Sequence, residues 1–582
     1  MFASGDLAEG RERMERLGTW WAAPDFRVAF WRPLSAATHA IDLTLWPGSA
    51  PLMHAHTLLW LAALLAALAA LFRRLLPPRA AILALALYAW DDARGGLLSW
   101  VANRHALIAA VFCVGALLAY DRWRRDGWRH GAWLGPLLFA AGLLSSEMAL
   151  ATTGLLFGHA LWIDREGPLA RRLVRLAPYL LVVIAWQAIY SAKGYGVVGS
   201  GGYVHPLHDP RGYFAQLPAR ALVLALGQLT PLASDFWPFY PPPARLVVVA
   251  SAIALLLVVA KLAWPRVASE RSSRFWLLGA ALAILPVAAA GPGDRNLVFV
   301  GIGASAALAL VFDASVREAP SSRGARLVVG ALAVFNLALA PAFLPLKSLA
   351  NFNMERMRAE ADASIPRAPS VAEETLVVVS AATEGTIFFV WTQREAAGVP
   401  MPRGTRILST GFGPTSVSRP DAVTLRVSPE GGFLAGEMHR LMRSPSQPFH
   451  VNDVVELSDM RATVVALTDG GRPRTVEFRF ATPLESVGRR WMRGEGMGLV
   501  LAPRSEPSSA PARPDGERGG WPVFWGASSC GPPPCAPHPG AGQTLVRITL
   551  PRGRGPRSQP SSWAKVESEP SSRRSQCACP RW

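Results

Sequence analysis

Ionisable residues sit at the ends of long apolar runs: Arg32 in Phe30-Trp31-Arg32-Pro33-Leu34, His54 and His56, Asp91 and Asp92 ahead of Arg104, Glu147 after Leu143-Leu144-Ser145-Ser146, and Asp294-Arg295 after Gly291-Pro292-Gly293. Charge near a bilayer is costly, so each of these groups needs a partner or a purpose. Guanidinium groups hold phosphate oxygens through paired hydrogen bonds, and a carboxylate can take the proton from an attacking hydroxyl. Gathered on one face, such groups would suit an anionic, lipid-linked substrate. Each also has a plainer reading. Asp91 or Asp92 could pair with Arg104 and pin two helices, Glu147 could be a solvated turn residue, and Asp294 could cap a helix amino terminus. His54 and His56 are two apart and so do not share a helix face; with no third ligand they predict no metal site.

The elements that must position these residues are apolar helices. Of the 582 residues, 51% are hydrophobic and 17% charged, and the mean hydropathy is positive, a composition suited to the bilayer. Crossing a hydrocarbon core of about 30 Å takes roughly 20 apolar residues in a helix. Runs at 54–72, 80–90, 106–120, 132–145, 148–163, 173–191, 246–263, 275–290, 296–312 and 327–346 are ten candidate membrane helices. The stretch 215–236 carries Pro218, Arg220, Pro231 and Asp235 and is expected to be re-entrant or interfacial. With the amino terminus outside and one crossing per run, the inner loops hold sixteen arginines against seven basic residues in the outer loops, in line with the positive-inside bias. All the groups named above then face outward. The net charge of +18 is spread over short loops instead of forming one stripe, which argues against nucleic-acid binding.

Residues 1–51, with no apolar signal-peptide core, are expected as an outer amino-terminal segment ahead of a transmembrane domain at 52–346. A linker at 347–369 leads to a domain at 370–500 with strand-like alternation at Leu376–Val379, Arg406–Leu408, Val423–Val427, Val454–Leu457, Ala462–Leu467 and Val476–Phe480. A helix is predicted near 385–397 and a hairpin turn at Asp469-Gly470-Gly471. Residues 501–582, rich in Pro, Ser, Gly and Arg, cannot bury enough apolar surface to fold and are expected to be disordered. Cys113 reads as a small buried hydrophobe, while Cys530, Cys535, Cys577 and Cys579 lack zinc-site spacing. The expected fold class is thus an all-α polytopic membrane bundle of ten transmembrane helices, followed by a small extracytoplasmic α/β or α+β domain and a disordered tail.

Taken in order, Phe30-Trp31-Arg32-Pro33-Leu34, a histidine before the next span (His54 or His56), Trp100-Val101-Ala102-Asn103-Arg104, Leu143-Leu144-Ser145-Ser146-Glu147 and Asp294-Arg295 resemble the membrane part of the GT-C superfamily of polytopic glycosyltransferases, over residues 18–346. These are the protein O-mannosyltransferase-like and lipid A sugar-transferase-like enzymes. The resemblance implies transfer of a sugar from a polyprenyl-phosphate donor to an envelope acceptor at the outer face of a bacterial inner membrane, with inversion at the anomeric carbon. It implies no cofactor and indicates no divalent metal. It implies substrate-binding roles for Arg32, Asp91, Asp92, Arg104, Glu147 and Arg295, with Arg104 and Arg295 as phosphate contacts.

The general base of that superfamily usually follows a first membrane helix. Here no apolar run precedes Arg32, and the acids ahead of it are Asp6, Glu9, Glu12, Glu15 and Asp25. The expectation is a chain lacking its first membrane helix or a relative without catalysis, and the catalytic residue is left unassigned. Two other readings stay open: a membrane-anchored binding or scaffold protein of the cell envelope, and a lipid or polymer transporter, whose charges would lie nearer the midplane. The expected partners are the lipid-linked sugar and membrane lipid, with the oligomeric state open.

Overall fold

The computed structural model describes residues 18–501 apart from 232–233, 318–321, 383, 412, 437–440 and 496–497. The disordered tail expected at 501–582 and the acids Asp6, Glu9, Glu12 and Glu15 lie outside the described residues, apart from Leu501. Six described stretches are long and apolar enough to cross a membrane: Ala50–Leu75, Val101–Asp126, Leu169–Ala192, Pro242–Leu262, Asp294–Arg317 and Arg323–Leu349. The chain is a helix-rich, multi-pass membrane protein with a small sheet region.

All ten apolar runs are helical, but Pro78–Ala89, Gly131–Leu143, Thr152–Trp162 and Arg271–Val287 fall short of that length. At about 1.5 Å per residue, a twelve-residue helix such as Pro78–Ala89 covers about 18 Å of a core about 30 Å thick. The stretch at 215–236 forms the end of a helix, Pro210–Leu229, and part of a 3-10 turn, Ser234–Phe239.

Local chemistry sets the helix ends. Helix α1 (Pro33–Leu45) begins on a proline, whose fixed φ suits a first helical position. Helix α2 (Ala50–Leu75) has Arg73 and Arg74 in its last turn, where positive charge meets the negative end of the helix dipole, and the next helix starts at Pro78. Helix α3 (Arg104–Asp126) stops at Gly127, whose φ of +71° is costly for any residue with a Cβ.

Helices α4 (Thr152–Trp162), α5 (Arg271–Val287) and α6 (Val298–Arg317) form the centre of the bundle. The apolar stretch that includes α6 is 78% buried, whereas that of Pro242–Leu262 is 6% buried and presents its leucines to lipid. A Cβ at Gly303 would lie 2.7 Å from the Trp276 carbonyl oxygen, so α5 and α6 need glycine there to approach this closely.

Two short strands, β1 (Arg27–Ala29) and β2 (Gly196–Val198), pair antiparallel beside the bundle. Helix α7 (Ala340–Ala363) leads from the last apolar stretch into the sheet region. There β3 (Thr375–Ala381) is followed by helix α8 (Glu384–Ala396), which crosses to the parallel strand β4 (Gly404–Thr410). A second sheet is antiparallel and runs β5 (Thr415–Ser418), β6 (Thr424–Pro429), β9 (Pro473–Phe480), β8 (Met460–Leu467), β7 (Val454–Leu457). Strand β10 (Arg489–Glu495) returns to lie parallel to β3, with β11 (Gly498–Leu501) on the edge. Every predicted strand, the helix and the hairpin appear, and Gly471 has the left-handed φ of +72° that its turn requires.

Two boundaries differ from expectation. The linker at 347–369 is helical through Ala363, and Arg394 of α8 locks it in place by binding Asp362 and the Ile365 carbonyl. Residues near the amino terminus also belong to the sheet region, not to a separate outer segment. Trp20 donates its indole N–H to the Leu408 carbonyl at 3.0 Å, Arg443 donates to the Trp21 carbonyl at 2.8 Å, and both tryptophans lie in the core between the sheets.

Candidate functional site

The end of the helix bundle expected to face outward gathers the predicted residues into three ion groups and one open patch. Arg32 stands just before α1 and pairs with Glu147, Nη2 to Oε2 at 2.7 Å, with its guanidinium 4.3 Å from the Phe30 ring centre. Glu147 opens a short 3-10 turn, Glu147–Ala151, and Tyr190 donates weakly to it at 3.5 Å. Ser35 of α1 donates to the Ser145 carbonyl at 2.7 Å, which fixes α1 against this turn. Although the pair is partly exposed, the Arg32 contact holds Glu147, which is not merely a solvated turn residue.

Arg104 behaves differently from expectation. As the first residue of α3 it is fully buried, with Nη1 2.6 Å from Asp42 Oδ2, Nε donating to Thr57 Oγ1 at 3.0 Å and Nη2 to the Met53 carbonyl at 2.7 Å. His56 completes the group: Trp60 donates to its Nε2 at 3.1 Å, so the ring proton belongs on Nδ1, which faces Asp42 Oδ1 at 2.6 Å. Enclosed in this way, Arg104 holds three helices together and has no face left for a phosphate. Burial pushes the Asp42 carboxyl up, but hydrogen bonds from His56 and Arg104 outweigh it and leave the group below its ordinary range.

Asp91 and Asp92 do not meet Arg104 either. Asp91 accepts from Arg94 at 3.0 Å, from Gln228 at 2.8 Å and from the Ala93 N–H at 2.9 Å. Asp92 binds Lys347 of α7, which also reaches Asp294 Oδ2 at 2.6 Å. Asp294 is no helix cap: its other oxygen accepts from the Ser234 backbone N–H at 2.8 Å and hydroxyl at 2.9 Å. Burial, together with the neighbouring carboxylates, raises the Asp92 carboxyl above its usual value despite Lys347. These acids tie α7 to the bundle, and a direct substrate role for Asp91 and Asp92 gives way to a structural one because all their strong contacts are internal.

Arg295 is the exception. Its guanidinium lies 5.9 Å from the Trp100 ring centre and makes no hydrogen bond or ion pair among the described residues. Its charge is felt by both Asp235 and His105, and His105 also feels Arg32 and His39. His105 Nδ1 lies 3.0 Å from Ser146 Oγ, next to Glu147. Asp235 reaches the surface at the start of the turn Ser234–Phe239 and accepts from the Asp294 N–H at 3.3 Å. The protein packed around it, then the nearby Asp294 carboxylate, push its carboxyl up to about 6. An unengaged guanidinium beside a carboxylate of near-neutral affinity can hold an anion and accept a proton.

The arginine-dense end of the bundle is more than a topology signal. Asp121 of α3 and His159 of α4 are fully buried and 2.8 Å apart, and Arg74 of α2 donates to the same carboxylate at 2.7 Å. Arg124 pairs with Asp164 at 2.8 Å and with Glu166 at 2.6 Å.

The sequence reading missed Asp42, Lys347 and His105, and noted Asp235 only as a polar break in an apolar stretch. The first two carry a usable signal, a lone charge inside Ala40-Ile41-Asp42-Leu43 and Leu346-Lys347-Ser348. No group of three or more metal-binding side chains occurs among the described residues. Compared with protein-family models and with curated proteins, the chain matches none.

Proposed function

We propose that this chain is a membrane glycosyltransferase that moves a sugar from a polyprenyl-phosphate donor to an envelope acceptor at the outer face of a bacterial inner membrane, with the 370–500 domain on that same side. The observation that carries the reading is Arg295, a partly exposed guanidinium with no hydrogen bond or ion pair among the described residues, next to Asp235, whose carboxyl is pushed up to about 6. Arg295, with Arg32 nearby, would hold the donor phosphate, and Asp235 would serve as general base.

In the step proposed, the acceptor oxygen forms a bond to the anomeric carbon while the bond from that carbon to the phosphate oxygen breaks. The acceptor proton passes to Asp235, and the electron pair leaves with polyprenyl phosphate, whose charge Arg295 balances. Attack opposite the leaving group inverts the centre. His105 and the Arg32–Glu147 pair line the same patch and would orient the substrate.

A second reading, a non-catalytic membrane-anchored scaffold, is favoured by the number of groups at this end already consumed by internal ion pairs, Asp42 with Arg104 and Asp92 and Asp294 with Lys347. Proteoliposomes supplied with labelled polyprenyl-phospho-sugars separate the two. Transfer by the wild type that falls with Arg295→Ala and Asp235→Asn supports the enzyme; equal label in all three, at the level of empty vesicles, supports the scaffold.

A further inference from the structure

A groove at the opposite, arginine-dense end is left unused by the proposed chemistry. It has a volume of about 570 Å³ and lies between the end of α2 and the start of α5, lined by Arg74, Arg165, Arg271 and Glu270 with Leu76 and Leu310. A smaller hollow of about 340 Å³ adjoins it through Arg74 and is bordered by Arg73 and Arg122. Arg74 is already neutralised by Asp121 and Asp126. Arg73, Arg165 and Arg271 are exposed and make no hydrogen bond or ion pair with any described residue, and Arg122 only stacks on Trp128 at 4.9 Å. Glu270, the one acid of the groove, accepts from the Ser273 hydroxyl at 3.2 Å. In the groove Arg165 and Arg271 outnumber the single acid, Arg73 and Arg122 add charge in the adjoining hollow, and α5 begins at Arg271 with no side-chain cap on its N–H groups.

The position of the groove names the anion. It lies where the apolar stretch Ala50–Leu75 ends, and both leucine and arginine line it. Around the same end, Arg122, Arg124 and Arg274 lie over Trp128, Trp123 and Trp162, and tryptophan collects at the level of lipid headgroups. A soluble anion would have no use for the leucines, whereas a lipid presents its phosphate and its first methylenes together. We infer that this groove binds the headgroup of an anionic phospholipid, its phosphate held by Arg165 and Arg271, with Arg73 adding positive charge from the adjoining hollow.

The test is retention of lipid by the full chain in neutral detergent, offered equal amounts of phosphatidylglycerol and phosphatidylcholine and read by native mass spectrometry. The wild type is expected to keep the anionic lipid at least about tenfold over the neutral one. Combined Arg73→Gln, Arg165→Gln and Arg271→Gln brings that ratio near unity, and exposed Arg165→Gln alone, which leaves the thermal midpoint unchanged, gives an intermediate ratio. Arg129→Gln with Arg326→Gln, which line neither hollow, keeps the wild-type ratio. The inference falls if the triple variant keeps the preference, if the control pair loses it equally, or if millimolar glycerol phosphate displaces the lipid, which would mark a site for soluble anions.

Discussion

Both ends of the helix bundle bury ions, yet they differ in what is left over. At the outward-facing end assigned from the sequence, the acids are matched with cations, Asp42 with Arg104, Glu147 with Arg32, Asp92 and Asp294 with Lys347, while Arg295 makes no ion pair with a described residue. At the other end Asp121 and Asp164 are also engaged, but several arginines remain around open grooves. Charge count by itself assigns chemistry to the first end and direction to the second. The surplus after pairing is more informative: one guanidinium beside a proton acceptor suits a reacting phosphate, and several around a hollow suit a resident one.

The largest effects should come from the buried pairs, and they should be alike at the two ends. Arg104→Ala, which strands Asp42 without its cation, should cost about 3–5 kcal/mol, as should Asp121→Ala beside Arg74 and His159, measured by chemical unfolding in detergent. A large loss at one end only would break the comparison.

Next are the losses in transfer. Arg295→Ala and Asp235→Asn should each slow sugar transfer by about 100-fold while moving stability by less than about 0.5 kcal/mol. A stability loss comparable with that of Arg104→Ala would make Arg295 a structural residue. Transfer should also fall as pH drops through about 6, because Asp235 then holds its own proton and cannot accept another; in Asp235→Asn the residual rate should lose that step. The Asp42 group works in the other direction on stability. Its folded carboxyl lies below the unfolded value of 3.8, so its contribution is full above that pH and is lost as the medium is acidified through the lower folded value, an effect that Asp42→Asn should remove from an acid unfolding curve. The smallest change is expected for Arg32→Gln, whose pair with Glu147 is about one quarter exposed and is worth at most about 1 kcal/mol.

Much of the fold is legible in the sequence, because apolar length and strand alternation are local properties. All ten apolar runs are helical, and β3, β4 and β6 to β9 lie where strands are predicted, whereas the short β5 and the returning β10 and β11 are not foreseen. The site is less legible, because a partner is a long-range choice. Asp91 and Asp92 sit near Arg104 in sequence, yet Arg94, Gln228 and Lys347 reach them first, the last from more than 250 residues away. Arg295 stands out by type and position, but only packing reveals that it makes no hydrogen bond or ion pair with a described residue. Asp235 was hidden because proline on either side makes its segment read as irregular, and irregular backbone at the end of a bundle is where an exposed carboxylate can be positioned.

The insertion of Trp20 and Trp21 between the two sheets has a topological consequence. Their core partners, Leu408, Phe433, Phe449 and Phe478, are translated hundreds of residues later. A core cannot straddle a bilayer, so the segment ahead of α1 and the strands after α7 must share one compartment. The number of traverses between them is therefore even, and reporters fused at Gly18 and after Leu501 should respond to the same side. During synthesis the amino-terminal tryptophans have to wait on that side, unburied, until the last sheet is made.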